Sequence, residues 1–292
     1  PLRRRRRSDL AAYGFVAPNL VLLAVFVVVP LAGTLVLSLE QTNGFGAGAF
    51  VGLQNFGRLL GDPLFWRAAA NTAVYTVLVT GLSLGLGLLT ALLLNSVLPA
   101  RAVFRSILIL PMAVSSVASA LIGKLVFDEN AGVLNALLRA VGLPAVSWQS
   151  GGVPAFVSVV LVTLWLRVGF NMLIYLAALQ GVGRDLLEAA TLDGASGWQR
   201  IRFVTVPLLG PATFFLLIID VVYSFQVFDV VFVLTGGGPQ NATDVLVTYA
   251  YENGFVTRDQ GYAAAIGIVL LVVAIAFAVF QWNTSRTRDL TE

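Results

Sequence analysis

The chain contains no cysteine and no histidine. Disulfides, thiolate chemistry, zinc fingers and histidine-based metal sites are therefore excluded, as is a Ser-His-Asp triad within these residues. Charge is scarce too. Asp, Glu, Lys and Arg make up 11% of the 292 residues, against about a quarter in an average soluble domain. So few charges cannot cover a water-facing surface, which excludes an ordinary soluble enzyme, a secreted scaffold and a disordered tail. Lysine occurs once, as Lys124; every other basic residue is arginine. The chain also has no GxxxxGK[ST] run, so it is not expected to bind ATP by a P-loop. Its basic residues lie between apolar blocks rather than on one face, so nucleic acid is not an expected partner.

What the chain does hold is apolar. Hydrophobic residues make up 58% of it and the mean hydropathy is +0.88. A bilayer core is crossed by about 20 apolar residues in a helix. The charge-poor stretches predict an all-α, polytopic membrane protein with six transmembrane helices. Their expected cores are 15–38, 70–96, 106–127, 154–180, 205–234 and 261–283.

Arginine sets the orientation. With the run Arg3 to Arg7 in the cytoplasm, the same side receives Arg101, Arg105, Arg184, Arg200, Arg202, Arg286 and Arg288. The opposite side receives only Arg58, Arg67, Arg139 and Arg258. This positive-inside bias predicts a multi-pass protein of a bacterial inner membrane with both termini cytoplasmic. The basic run reads as a topology anchor rather than a specific lipid site. The first span is too long for a signal-peptide core and no small-x-small site closes it, so it is expected to stay uncleaved. The expected division is a basic tail 1–14, one six-helix domain 15–283 and a cytoplasmic tail 284–292.

Local signals mark the loops. Asp62 followed by Pro63 reads as a helix start. Trp66 and Trp148 are expected at the outer headgroup level and Trp282 at the inner one. The outer loop 128–152 carries a short helical pattern, Val133-Leu134-Asn-Ala-Leu137-Leu138, closed by Gly142 and Pro144. Gly236-Gly237-Gly238-Pro239 permits a tight turn beside the membrane.

Ionisable groups within spans are functional candidates by default. Arg167, Asp220 and Asp229 qualify, while Lys124 lies near an outer end and can snorkel. Arg167 can pair with an acid to hold helices together, or can meet a substrate. Asn171 and Tyr175 are four residues apart and share a helical face. With Trp165, Tyr223 and Gln226 they offer the hydrogen bonds and aromatic faces that a polyol needs. Each can equally serve helix packing. Asp220 and Asp229 also admit a second reading, the relay of a proton-coupled secondary carrier. An intramembrane enzyme has less support, because His, Cys and a paired catalytic motif are lacking.

The cytoplasmic stretch 181–207 is the most informative. Residues 185–192 form an amphipathic pattern in which Leu186, Leu187, Ala190 and Leu192 can pack while Asp185 and Glu188 stay wet. Asp185 and Glu188 suit the N-terminal end of the helix dipole, and Gly194 ends the helix. A second short helix is expected from Ser196 toward Pro207, with Trp198 as an apolar knob. The pair is either a surface hairpin capping the bundle or a docking element for a cytoplasmic partner.

At these residues the sequence resembles a known family. Glu188-Ala189-Ala190, three residues, Gly194, nine residues and Val204-x-Val206-Pro207 match the signature of permease subunits of bacterial binding-protein-dependent ABC importers. Valine stands at two positions where that family carries Ile and Leu, a conservative change in packing. Further stretches resemble its sugar-permease branch: Trp165-x-x-x-Gly169-Phe170-Asn171-Met172, Phe232 to Pro239, Thr243-Asp244, Tyr251 with Phe255, and Asn55-Phe56. Ala17-Pro18, Val29-Pro30 and Ser38-Leu39 are like the first of the two permeases of such an importer. The likeness covers nearly the whole chain and is strongest to the glycerol-3-phosphate and glycerophosphodiester type.

The resemblance implies one half of a translocation pathway for a sugar or a glycerophosphodiester such as glycerophosphocholine. It implies a second homologous permease, two copies of a cytoplasmic ATPase that bind ATP and magnesium, and an extracytoplasmic solute-binding protein. Glu188, Ala189, Ala190, Asp193, Gly194 and Pro207 would belong to a coupling helix and its return, seated in a cleft of the ATPase. Loops 40–66 and 236–258 would meet the binding protein. The helix just before the coupling loop would carry cargo contacts, with Asn171 foremost.

Overall fold

The computed structural model describes residues 15–44, 48–96 and 99–289, with side chains described as far as Gln281. The Arg3 to Arg7 anchor and the inner-headgroup role of Trp282 lie outside the described residues. The described chain is mostly helical, as its hydropathy requires: in lipid only a helix satisfies its own backbone hydrogen bonds without a partner strand.

The helices are α1 Phe15–Ser38, α2 Gln54–Leu60, α3 Pro63–Asn95, α4 Arg101–Ile109, α5 Ser116–Val126, α6 Val133–Ala140, α7 Gly152–Gln180, α8 Arg184–Leu192, α9 Gly197–Leu208, α10 Gly210–Phe225, α11 Asp229–Leu234, α12 Leu246–Tyr251 and α13 Gln260–Asp289. Two short strands, β1 Glu40–Gln41 and β2 Ala49–Phe50, pair antiparallel. Four helices, α1, α3, α7 and α13, are each long and apolar enough to cross a membrane, and the number rises to six if each of two bent pairs makes one span.

The bends correct two of the six expected cores. The stretch 106–127 does not run straight: α4 tightens into a 3₁₀ turn at Leu110–Ala113 and α5 leaves it at 108°. Pro111 removes a backbone donor there, and Ser115 opens α5 by accepting a hydrogen bond from the Ala118 N–H. The stretch 205–234 is broken twice. It turns by 65° at the Leu209-Gly210-Pro211 junction, and again where α10 stops at Phe225 and α11 starts afresh at Asp229. At the other boundaries the reading was close. Helix α3 does begin at Pro63, seven residues before the expected core, and α6 ends ahead of Gly142, whose φ is +79°.

The chain packs as two compact units. The first comprises residues up to 62 and residues 250–272. Side chains tie together the described residues that follow α1. Asn55 is buried and donates from Nδ2 to the carbonyls of Ser38 and Glu40, both at 2.9 Å. Arg58 pairs with Asp259 at 2.5 Å and stacks over the Tyr262 ring at 4.2 Å, while Tyr262 donates to Asp62.

The second unit comprises residues 63–249 and 273–292. Here α3 packs chiefly on α7, α10 packs on α3, and α11 packs on α5. Small residues allow the closest approaches. A Cβ on Gly169 would lie 1.9 Å from the Leu108 carbonyl oxygen, and one on Gly87 would lie 2.6 Å from the Asn171 Cβ. The buried interior has three layers. One apolar cluster gathers Tyr75, Val79, Phe127, Val159, Val162, Leu166, Val231 and Leu234. Another gathers Ala91, Leu94, Met172, Leu176, Leu179, Leu209 and Leu216. Ser83 of α3, Asn171 of α7 and Asp220 of α10 are fully buried between them in sequence along their helices.

Candidate functional site

The polar layer is built around Asp220, which has no exposed surface. One carboxylate oxygen accepts from Arg167, from Nε at 3.0 Å and from a terminal nitrogen. The other accepts from Ser83 Oγ at 2.8 Å and from Asn171 Nδ2 at 2.6 Å. Two helices, α3 and α7, thus deliver four hydrogen bonds to one carboxylate on a third. A buried charge is tolerated when it is paired and its remaining lone pairs are satisfied. The Arg167 guanidinium also lies over the rings of Phe170, at 4.9 Å, and Tyr223, at 4.5 Å. Arg167 is therefore neutralised, and its side chain is only 12% exposed. Asn171 keeps an unused acceptor, its buried Oδ1.

A second polar group lies where the two broken helices meet. Asp229, in the first turn of α11, accepts a hydrogen bond from Ser116, in the first turn of α5. Together with Tyr223, Gln226, Val227, Phe228 and Val230 they line a cavity of about 140 Å³. Tyr223 belongs to both groups and joins them.

The predicted pathway residues divide accordingly. Arg167, Asn171 and Tyr223 come together at Asp220. Gln226 and Asp229 join Tyr223 at the cavity. Tyr175 lies one turn below Asn171, is buried, and donates to Thr213 Oγ1 at 3.1 Å. Trp165 does not join either group. It is 43% exposed and lines an apolar cleft with Ile122, Gly123, Val126, Leu161 and Val162. Sequence reasoning missed Ser83 and Ser116. A signal for Ser83 exists: Thr72, Thr76, Thr80 and Ser83 are all buried and recur at helical spacing along α3. Trp148 is tied into loop 128–152: it donates from Nε1 to Asn135 Oδ1 at 3.0 Å and meets Phe127 edge-on. Trp66 is 53% exposed, and Lys124 is exposed in the last turn of α5.

The loop 181–207 forms the second candidate site. Helix α8 opens with Asp185 in its first turn, and Gly194, at φ +83°, follows its end. Ser196 and Gln199 form a reciprocal capping box at the start of α9. Arg200 donates to Thr191 Oγ1 at 2.8 Å and ties α9 back to α8. Glu188, Ala189, Asp193 and Pro207 are exposed, while Leu187 and Ala190 are half-buried. Leu186 and Leu192 do not pack on their own chain as expected. They are 51% and 89% exposed, and Trp198 is 69% exposed. The expectation failed because the amphipathic pattern shows that a face will be covered, not by which molecule.

A bundle of apolar helices with a buried charged layer and an exposed, capped helical hairpin defines a polytopic membrane protein. The family described as binding-protein-dependent transport system inner membrane component matches residues 83–289, from Ser83 to the end of α13. The sn-glycerol-3-phosphate transport system permease protein UgpA of Agrobacterium fabrum is 35% identical over 285 residues, covering 96% of each chain. The trehalose/maltose transport system permease protein MalF of Thermococcus litoralis is also 35% identical, over 97% of this chain and 96% of its own. A solved bacterial ABC transporter involved in the import of the acidic polysaccharide alginate superposes with a TM-score of 0.86, at 27% identity and 98% coverage of both chains. The chain belongs to the binding-protein-dependent transport family and is a multi-pass inner-membrane permease subunit of an ABC importer. That membership settles the choice against the secondary carrier. Asp220, held by Arg167, Ser83 and Asn171, also lacks the free carboxylate that a relay needs.

Proposed function

We propose that the chain forms half of a translocation pathway for a hydroxyl-rich solute and is driven through the α8–α9 hairpin by a separate ATPase. The observation that carries this reading is the hairpin itself: a helix pair stiffened by a capping box and the Arg200–Thr191 bond, with Leu186, Leu192 and Trp198 turned outward. A stiff element with an unpartnered apolar face suits rigid-body transmission from a partner. Glu188, Ala189, Ala190, Asp193, Gly194 and Pro207 are its coupling residues. ATP and magnesium belong to two copies of that ATPase, and a second permease completes the pathway. An extracytoplasmic solute-binding protein delivers cargo to loops 40–66 and 236–258, and both termini face the cytoplasm. One similar solved transporter is in complex with an alginate pentasaccharide-bound periplasmic protein, which supports such a delivery step.

The polar layer bears on the cargo. Because Arg167 is spent on Asp220, the group offers Asn171 Oδ1, the Tyr223 face, Gln226 and Asp229 rather than a free cation. Such a set suits sugar hydroxyls better than a phosphate. The phosphate-ester reading keeps its support from the resemblance to glycerol-3-phosphate permeases. Uptake of labelled disaccharide and labelled glycerophosphocholine, in cells with and without the chain, decides between them. Loss of the disaccharide signal alone is the expected result. Loss of the glycerophosphocholine signal alone would return the cargo to the phosphodiester class and Arg167 to a direct role.

A further inference from the structure

We infer that the base of the coupling hairpin holds an anionic phospholipid of the surrounding leaflet. This rests on the reading above only for the side of the membrane and for what the lipid would influence. A cavity of about 300 Å³ lies between the ends of α3 and α7 and the hairpin. Leu92, Leu179, Val182 and Leu187 supply an apolar wall, while Ser96 and Arg200 supply the polar end. Among the described residues, no acidic side chain lines it. Arg200 spends one terminal nitrogen on Thr191, but its Nε is buried and has no acceptor among the described residues. A buried cationic donor left without an acceptor is costly, and a phosphate diester oxygen satisfies it with a charge-assisted bond.

The surroundings favour a lipid over a soluble anion. Leu86, Leu89 and Leu93 form an exposed apolar stripe down α3 that leads to Leu92 and Ser96 at the cavity. Acyl chains can lie along that stripe while the headgroup enters the polar end. The C-terminal ends of α3 and α7 oppose an anion through their dipoles. Arg105 offsets this at α3, where it caps the Leu94 carbonyl at 2.8 Å; its own Nε is likewise buried without an acceptor. At α7 the Gly181 and Val182 N–H groups cover the carbonyls of Ala178 and Leu179. Leu187 belongs to α8 and Arg200 to α9, so a lipid seated here would tie both helices of the hairpin to the span ends.

The test uses the full chain in phosphatidylcholine vesicles carrying a minor fraction of photoactivatable phosphatidylglycerol. Crosslinks are expected on peptides from the end of α3 and from α8 and α9. Arg200→Gln is expected to lower labelling about tenfold, the scale of one charge-assisted hydrogen bond, and Arg200→Lys to restore part of it. Val182→Trp, which fills the apolar wall and leaves Arg200 in place, is expected to lose labelling as well. If Arg200→Gln lowers the thermal midpoint, Val182→Trp carries the test. Three results would overturn the inference: unchanged labelling in the folded variants, equal labelling by a photoactivatable phosphatidylcholine, or displacement by inorganic phosphate, which would assign the site to a soluble anion. Labelling is read without ATP turnover, so it stands or falls apart from the transport reading.

Discussion

Asp220 is the residue on which the polar layer depends. Its carboxylate is buried against Arg167, Ser83 and Asn171, so removing its charge strands the guanidinium. Asp220→Asn is expected to cost about 3–5 kcal/mol, because a buried charge loses its counter-ion. Replacing Arg167 and Asp220 together by apolar residues is expected to cost less than the sum of the single changes. A double-mutant cycle on thermal unfolding in detergent measures both, and strict additivity would show that the two do not interact. Gly87→Ala reaches the same layer from behind. Its new Cβ must displace Asn171, so it is expected to lose about 1–3 kcal/mol and to mimic Asn171→Ala in transport. Arg167, Asn171 and Asp220 were legible in the sequence because polar groups stand out in apolar runs. Ser83 was marked only by the recurrence of hydroxyls along α3, a weak signal, since serine and threonine satisfy themselves on the preceding turn of any helix, as Thr72 and Thr76 do here.

Among the elements, the outer loop and the coupling hairpin make separate predictions. Glu129 accepts from the Gln149 and Ser150 backbone N–H groups and from the Ser150 hydroxyl, and Asp128 accepts from those of Asn130 and Ala131. These bonds hold both carboxyls below the ordinary carboxylate range, the backbone donors contributing most. A carboxyl whose folded pKa is depressed stabilises the fold above its unfolded pKa and loses that contribution as pH falls through the folded one. Hydrogen exchange across 128–151 is therefore expected to stay slow at neutral pH and to quicken as pH drops below the ordinary carboxylate range. Exchange independent of pH, after correction for the intrinsic rate, would contradict it. In the hairpin, Ser196→Ala removes the capping box and is expected to cost about 1 kcal/mol of local stability, read by exchange in α9.

The same elements show where the sequence was silent. Pro63, Gly142 and Gly194 act through their own backbone preferences, so the boundaries they set were readable. The gap between Phe225 and Asp229 contains neither proline nor glycine. It follows from contacts distant in sequence, with Asp229 held by Ser116 and α11 packed on α5.

In the second unit, the charged group lies between two apolar clusters, and the α8–α9 hairpin lies beside the C-terminal ends of α3 and α7. Glu188→Lys and Gly194→Pro are each expected to abolish ATP-driven uptake while leaving the thermal midpoint of the chain near wild type. Proline cannot adopt the φ of +83° at Gly194, and lysine reverses a charge exposed on α8. Uptake unchanged in both variants would remove the hairpin from the coupling role. The outward Leu186, Leu192 and Trp198 also predict that a cognate ATPase subunit raises the thermal midpoint of the chain in proportion to its binding.

The Gly169 contact has a mechanical consequence. Helices α7 and α4 touch there main chain to main chain, so no rotamer change can separate them, and rocking of α7 against α4 has its natural pivot at that point. From Gly169 the helix extends about 25 Å to Gly152 and about 16 Å to Gln180, at 1.5 Å per residue. If α7 rocks there as a rigid rod, a displacement applied at the Gln180 end is expected to reappear at the far end enlarged by about half and reversed in direction. Arg167 and Asn171, each two residues from that point, are expected to move least.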